Sequence, residues 1–73
     1  MNKIQTSNTK DKIIAKLFQC AAEEGVPISM NNYAECLKFE VGVTKDVEEA
    51  AEYFYRSYKN GYFKARKNLD MII

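Results

Sequence analysis

The sequence predicts an all-α fold, an α-solenoid of antiparallel helical hairpins, for this chain of 73 residues. Apolar residues recur three and four positions apart, the spacing that lines one face of a helix. Three glycines and one proline are too few for a fold rich in β-turns. The apolar pattern also repeats after 36 residues, which is typical of helical-repeat architectures. These features predict about four helices, arranged as one full repeat between two half repeats.

The first helix is expected over residues 10–24, after a flexible N-terminus at residues 1–8 and within a repeat segment at residues 9–73. Its apolar face comprises Ile14, Leu17, Phe18, Ala21 and Ala22. Gly25 follows at the place where a left-handed residue commonly ends a helix.

The second helix is expected over residues 28–40. Pro27 suits its first turn, because proline lacks the amide hydrogen that this turn leaves unpaired. Its packing face comprises Met30, Tyr33, Ala34 and Leu37. The stretch around Gly42 breaks the helical pattern and separates this helix from the next.

The third helix is expected over residues 46–60 and the fourth over residues 62–72. Asp46 is the predicted N-cap of the third helix, because its carboxylate can accept from the free amides of the first turn. Glu49, three residues later, fits the reciprocal capping arrangement. Gly61 is the second predicted helix stop, and the short connections favour antiparallel neighbours.

Self-similarity at an offset of 36 residues is the most informative pattern. It relates Gly25 to Gly61 and Phe18 to Phe54, so the helix stops repeat together with the apolar face. The other related pairs are Ile14 with Ala50, Ala15 with Ala51, Leu17 with Tyr53, Ala21 with Ser57, Ala22 with Tyr58, Ser29 with Ala65 and Tyr33 with Leu69. One feature, Thr-Lys-Asp at residues 9–11 and 44–46, repeats at 35 instead, which we interpret as a one-residue deletion.

The residues that carry this repeat resemble the Sel-one-like repeat, a relative of the tetratricopeptide repeat. The matching positions are Ala21, Ala22, Gly25, Ser29, Gly42, Val43, Lys45, Asp46, Ala50, Tyr53, Phe54, Gly61, Ala65 and Leu69. The sequence departs from the family pattern at Glu40, where a loop glycine is usual, at Ser57-Tyr58 in place of two alanines, and at Ala34 and Leu37. The resemblance implies a scaffold that holds a partner protein in a groove.

A solenoid offers its concave face mainly through the first helix of each hairpin, here residues 28–40. Side chains of that helix outside the predicted packing face are Asn31, Asn32, Glu35 and Lys38. We expect these four to contact a partner protein or an extended peptide through side-chain hydrogen bonds. The alternative is that they are ordinary solvated positions.

Charge is distributed unevenly, with a net −4 over residues 35–52 and a net +4 over residues 53–73. This pattern allows head-to-tail self-association, or a place within a longer repeat array. The basic C-terminal segment also suggests a small helical nucleic-acid-binding module as the alternative function. The near-neutral net charge of +1 argues against that alternative.

No catalytic, cofactor-binding or metal site is predicted. The chain contains no histidine, and Cys20 and Cys36 alone cannot complete a zinc site. Glu48, Glu49 and Glu52 form an acidic cluster without a nucleophile–base pair beside it. No small-molecule substrate and no membrane segment are expected, and a cytoplasmic location with reduced cysteines is the simplest interpretation.

Overall fold

A computed structural model describes residues 2–72 of the chain and, from residue 9 onward, their side chains. This part of the chain forms four helices and no strand, which confirms the all-α prediction. The helices are α1 (Asn2–Glu23), α2 (Pro27–Phe39), α3 (Val47–Lys59) and α4 (Lys64–Asp70). The first helix begins earlier than predicted, at Asn2. Residues 1–8 were expected to be flexible, and their side chains lie outside the described part of the chain.

The two predicted helix stops have the same backbone geometry. Gly25 and Gly61 have φ angles of +96° and +111°, as a residue that ends a helix in the left-handed region requires. Each glycine amide donates to the carbonyl three residues earlier, at 3.0 and 3.1 Å. The following amide donates to the carbonyl five residues earlier, at 3.1 Å on Ala21 and 3.0 Å on Ser57. Both predicted helix stops therefore end their helices with the same hydrogen-bond pattern.

The turn after α2 follows the same rule without a glycine. Glu40 adopts the left-handed conformation, with φ 56° and ψ 49°, at the position where the sequence lacks the usual loop glycine. The amide of Val41 then donates to the carbonyl of Cys36 at 2.9 Å. Two residues on, Gly42 has φ +75° and lies against the backbone of Asp11 in α1. A Cβ at Gly42 would overlap that carbonyl, so glycine is required here by space as well as by conformation.

Helices α2 and α3 each begin within one residue of the predicted start. Pro27 is in the first turn of α2, and its carbonyl accepts from the Ser57 hydroxyl at 2.7 Å, which joins α2 to α3. Asp46 is confirmed as the N-cap of α3, since its Oδ1 accepts from the amide of Glu49 at 3.0 Å. The amide of Asp46 donates to the carbonyl of Leu37 at 3.0 Å, so the reciprocal half of the predicted capping arrangement is replaced by a tertiary bond.

The core is centred on α2, which packs against α1 on one side and α3 on another. Each helix packs mainly on its neighbours in the sequence, and the chain measures 41 × 25 × 16 Å along its principal axes. The buried apolar residues are Ala15, Ala22, Met30, Tyr33, Ala34, Cys36, Leu37, Ala50, Tyr53, Phe54 and Ala65. Phe18, Val41, Val43, Tyr58, Tyr62, Leu69 and Ile72 pack against this cluster at its edges.

The predicted packing face of α1 is partly wrong. Ile14 and Leu17 are 43% and 63% exposed, although they were expected in the core. Ala22, which was predicted on this face, is buried, and Ala15 is buried with it, because their small side chains allow α1 and α2 to approach closely. Phe18 packs against the core but is only half-buried, whereas its equivalent Phe54 is fully buried. The difference arises because, among the described residues, α1 packs chiefly on α2, whereas α3 packs on both α2 and α4.

Candidate partner-binding groove

A shallow groove runs between α1 and α2 and has a volume of about 320 Å³. Its lining residues are Phe18, Asn32, Glu35, Cys36, Phe39 and Val41. The members contributed by α2 follow the spacing i, i+3, i+4 and i+7, which places them on one face of the helix. The groove therefore combines an apolar floor with an amide and a carboxylate, a composition typical of small binding sites.

Two of the four predicted partner-binding residues, Asn32 and Glu35, lie in this groove and are partly exposed. The amide of Asn32 can donate and accept, and the carboxylate of Glu35 accepts. Lys38 is also partly exposed, and its Nζ lies 4.9 Å from the ring centroid of Phe39. Phe39 is 63% exposed, so its ring is accessible to a ligand.

Phe39 is the exposed apolar residue of the groove that the sequence prediction missed. It follows Glu35 by one helical turn, and this spacing alone would have placed it beside Asn32 and Glu35. An exposed phenylalanine next to hydrogen-bonding side chains is an indication of a recognition surface.

The fourth predicted residue, Asn31, is not on an open face. It is 4% exposed, and its Oδ1 accepts from the Nδ2 of Asn68 in α4 at 2.9 Å. The prediction that Asn31 lies off the packing face is therefore wrong. Its side chain ties α2 to α4, because a buried amide needs a partner inside the protein.

The two thiols differ in accessibility. Cys36 is 5% exposed, and burial, together with the nearby Glu35 and Asp11, raises the pKa of its thiol. Cys20, by contrast, is exposed. The raised pKa keeps Cys36 protonated, which disfavours nucleophilic chemistry at this residue.

The acidic cluster predicted on α3 lines a second, open groove of about 650 Å³ between α3 and α4. Its residues are Asp46, Glu48, Glu49, Ala51, Glu52, Tyr55 and Leu69. Among the residues that the structure describes, no group of three or more histidine, cysteine or carboxylate side chains is arranged to hold a metal ion.

Aromatic rings connect α2 to α3 and cover part of the basic C-terminal segment. Tyr33 and Tyr53 meet edge to face at 5.1 Å, and burial raises the pKa of both hydroxyl groups, with Glu49 adding to the effect. The guanidinium of Arg56 lies 5.4 Å from the Tyr53 ring centroid. The guanidinium of Arg66 similarly lies 5.8 Å from the ring of Tyr58. Some of the basic charge is thus held against the protein's own rings.

Comparison of the chain with models of known protein families, with curated proteins and with solved structures gave no match. Between residues 2 and 72, none of the helices combines the length and the apolar character needed to cross a bilayer.

Proposed function

We propose that this chain is a protein-binding scaffold of Sel-one-like repeats, arranged as an α-solenoid, and that it binds a partner protein or an extended peptide in the groove between α1 and α2. The observation that carries the proposal is the juxtaposition of exposed Phe39 with Asn32 and Glu35 beside Phe18. Apolar contacts with the rings supply affinity, and the polar pair fixes the orientation of the bound chain.

The matching hydrogen-bond pattern of the helix ends at Gly25 and Gly61 supports the repeat assignment. In a solenoid each hairpin contacts its neighbours in the sequence, and the helices of this chain pack in that order. The role proposed is binding rather than catalysis.

Binding can be tested with a displayed library of random peptides selected on the purified chain. We expect selected peptides to bind with micromolar affinity and to shift the amide resonances of Phe18, Asn32, Glu35 and Phe39. A double variant, Asn32→Ala with Glu35→Ala, should weaken binding about 10- to 30-fold, since each lost hydrogen bond contributes on the order of 1 kcal/mol.

The matched control is Glu48→Ala with Glu52→Ala, which removes polar side chains from the other groove. This control should leave peptide affinity unchanged. Peptides that bind equally well to the Asn32 and Glu35 variant, or a failure to select any peptide, would contradict the proposal.

The nucleic-acid alternative receives less support. Arg66 is paired with Asp70 at 4.0 Å and lies against Tyr58, while Lys59 lies 5.6 Å from the Tyr55 ring centroid. Phosphate contacts would have to compete with these interactions. Retention of the chain on single- or double-stranded oligonucleotides at low salt would favour this alternative.

A further inference from the structure

The two ends of the helical array carry exposed faces that correspond to each other. The 36-residue repeat makes α1 equivalent to α3, and α2 equivalent to α4. A position that is buried in one helix of such a pair and less buried in the other shows where a neighbouring helix is missing. This condition is met on α1 and again on α4.

On α1 the exposed face is an apolar stripe of Ile13, Ile14 and Leu17. These side chains are 57%, 43% and 63% exposed. The equivalents of Ile14 and Leu17 are Ala50 and Tyr53 in α3, which are 0% and 9% exposed. Tyr53 is covered because it packs on α2, so the α1 stripe lacks an α2-like helix on which to lie.

On α4 the corresponding position is Leu69. Its equivalent in α2 is Tyr33, which is 4% exposed because Tyr53 packs on it. Leu69 has no such cover and lines the open groove between α3 and α4. Ala51 and the half-exposed Tyr55 add apolar surface to the same groove. The helix missing at this end is one equivalent to α3, and α1 is such a helix.

The charges beside the two faces are opposite in sign. Lys10 and Lys16 are exposed on α1, each within one helical turn of the apolar stripe. Glu48 and Glu52 are exposed at the edge of the α3–α4 groove. Opposite charges around an apolar contact favour one orientation of docking over others.

We propose that the chain associates head to tail with a second copy of itself, the α1 stripe of one copy lying in the α3–α4 groove of the next. Leu17 then packs on Leu69 as Tyr53 packs on Tyr33 within one chain. Such a contact joins two different surfaces, so copies form open chains or closed rings. The stripe is separate from the residues that line the α1–α2 groove, and the inference goes beyond the proposed peptide binding.

Sedimentation velocity of the whole chain, from about 10 µM to about 1 mM, tests the association. The average mass should rise with concentration and fall when salt is added, because screening weakens the charge pairing. Leu17→Glu should weaken association at least about 10-fold, since it places a carboxylate in the acidic groove. The control is Ile28→Glu, at a position 49% exposed and outside both faces, and it should associate like the wild type.

Circular dichroism should show that the variants keep their helix content, so loss of association is separated from loss of folding. A wild type that stays monomeric throughout the concentration range would overturn the proposal. So would a Leu17→Glu variant that associates as the wild type does.

A charge exchange tests the head-to-tail arrangement itself. One variant carries Lys10→Glu and Lys16→Glu, and the other carries Glu48→Lys and Glu52→Lys. Each variant alone should remain monomeric, because the charges beside its stripe and its groove then have the same sign. An equimolar mixture should associate again, with the two variants alternating along the assembly. Failure of mixing to restore association would overturn the arrangement.

Discussion

The residue Glu40 ends α2 in a conformation that side chains disfavour, and replacing it with glycine should stabilise the protein. Its φ of 56° and ψ of 49° place it in the left-handed region, which costs a non-glycine residue roughly 1–2 kcal/mol. Glycine removes this cost but loses about 0.5–1 kcal/mol through greater freedom in the unfolded chain. Removing a negative charge from a helix C-terminus adds a few tenths of a kcal/mol. The net expectation for Glu40→Gly is a gain of about 0.5–1 kcal/mol.

Urea unfolding followed by circular dichroism measures the change, and a rise in Tm of about 3–6 °C should accompany it. Glu40→Ala is the matched control, because it removes the charge and keeps the strained conformation. Glu40→Asn should lie between the two, since asparagine tolerates this region better than alanine does. A Glu40→Gly variant no more stable than Glu40→Ala would refute the assignment of backbone strain.

Three further predictions follow from the same structure. Gly42→Ala should lower the free energy of unfolding in urea by about 2–4 kcal/mol, because the added Cβ would overlap the Asp11 carbonyl, lie 2.8 Å from the Lys12 amide nitrogen and strain φ. Gly25→Ala has open space around its Cβ and should lower it by only about 1–2 kcal/mol. A thiol reagent should modify Cys20 rapidly and Cys36 only as the chain opens, so two equally fast thiols would contradict the burial of Cys36. The free energy of unfolding should be highest below pH 9 and fall as the pH rises past 9.0 and 10.0, the ordinary pKa values of a cysteine thiol and a tyrosine hydroxyl. Folding raises the pKa of the Cys36 thiol and of the Tyr33 hydroxyl, so the unfolded chain loses these protons first. A flat pH profile in thermal melts would contradict this.

The features that could be predicted from the sequence are those fixed by local interactions. The stops at Gly25 and Gly61 and the cap at Asp46 depend on residues within one helical turn, so pattern and outcome agree. The start of α1 is an exception, because the helix was expected from residue 10 and begins at Asn2. Apolar periodicity does not show where a helix begins when the residues before it can also be helical.

Features that depend on how helices cross could not be predicted in this way. Asn31 looks like a surface residue in the sequence, and only the position of α4 brings Asn68, 37 residues later, within hydrogen-bond distance. Ile14 and Leu17 are apolar and correctly spaced, but periodicity does not tell whether a partner helix lies in the same chain. The spacing of Phe39 from Glu35 places both on one helix face, but spacing does not show that α1 leaves a groove beside that face.

The central position of α2 also has a consequence for the order in which this protein folds. Since helices pack chiefly on their neighbours in the sequence, most contacts close short loops, and such chains fold quickly. The hairpin of α2 and α3 shares the Ser57 bond and the paired tyrosine rings, and it is the natural nucleus. The outer helices would then add to it one at a time, and backbone amide protons should exchange slowest at the middle of the array and fastest at its ends.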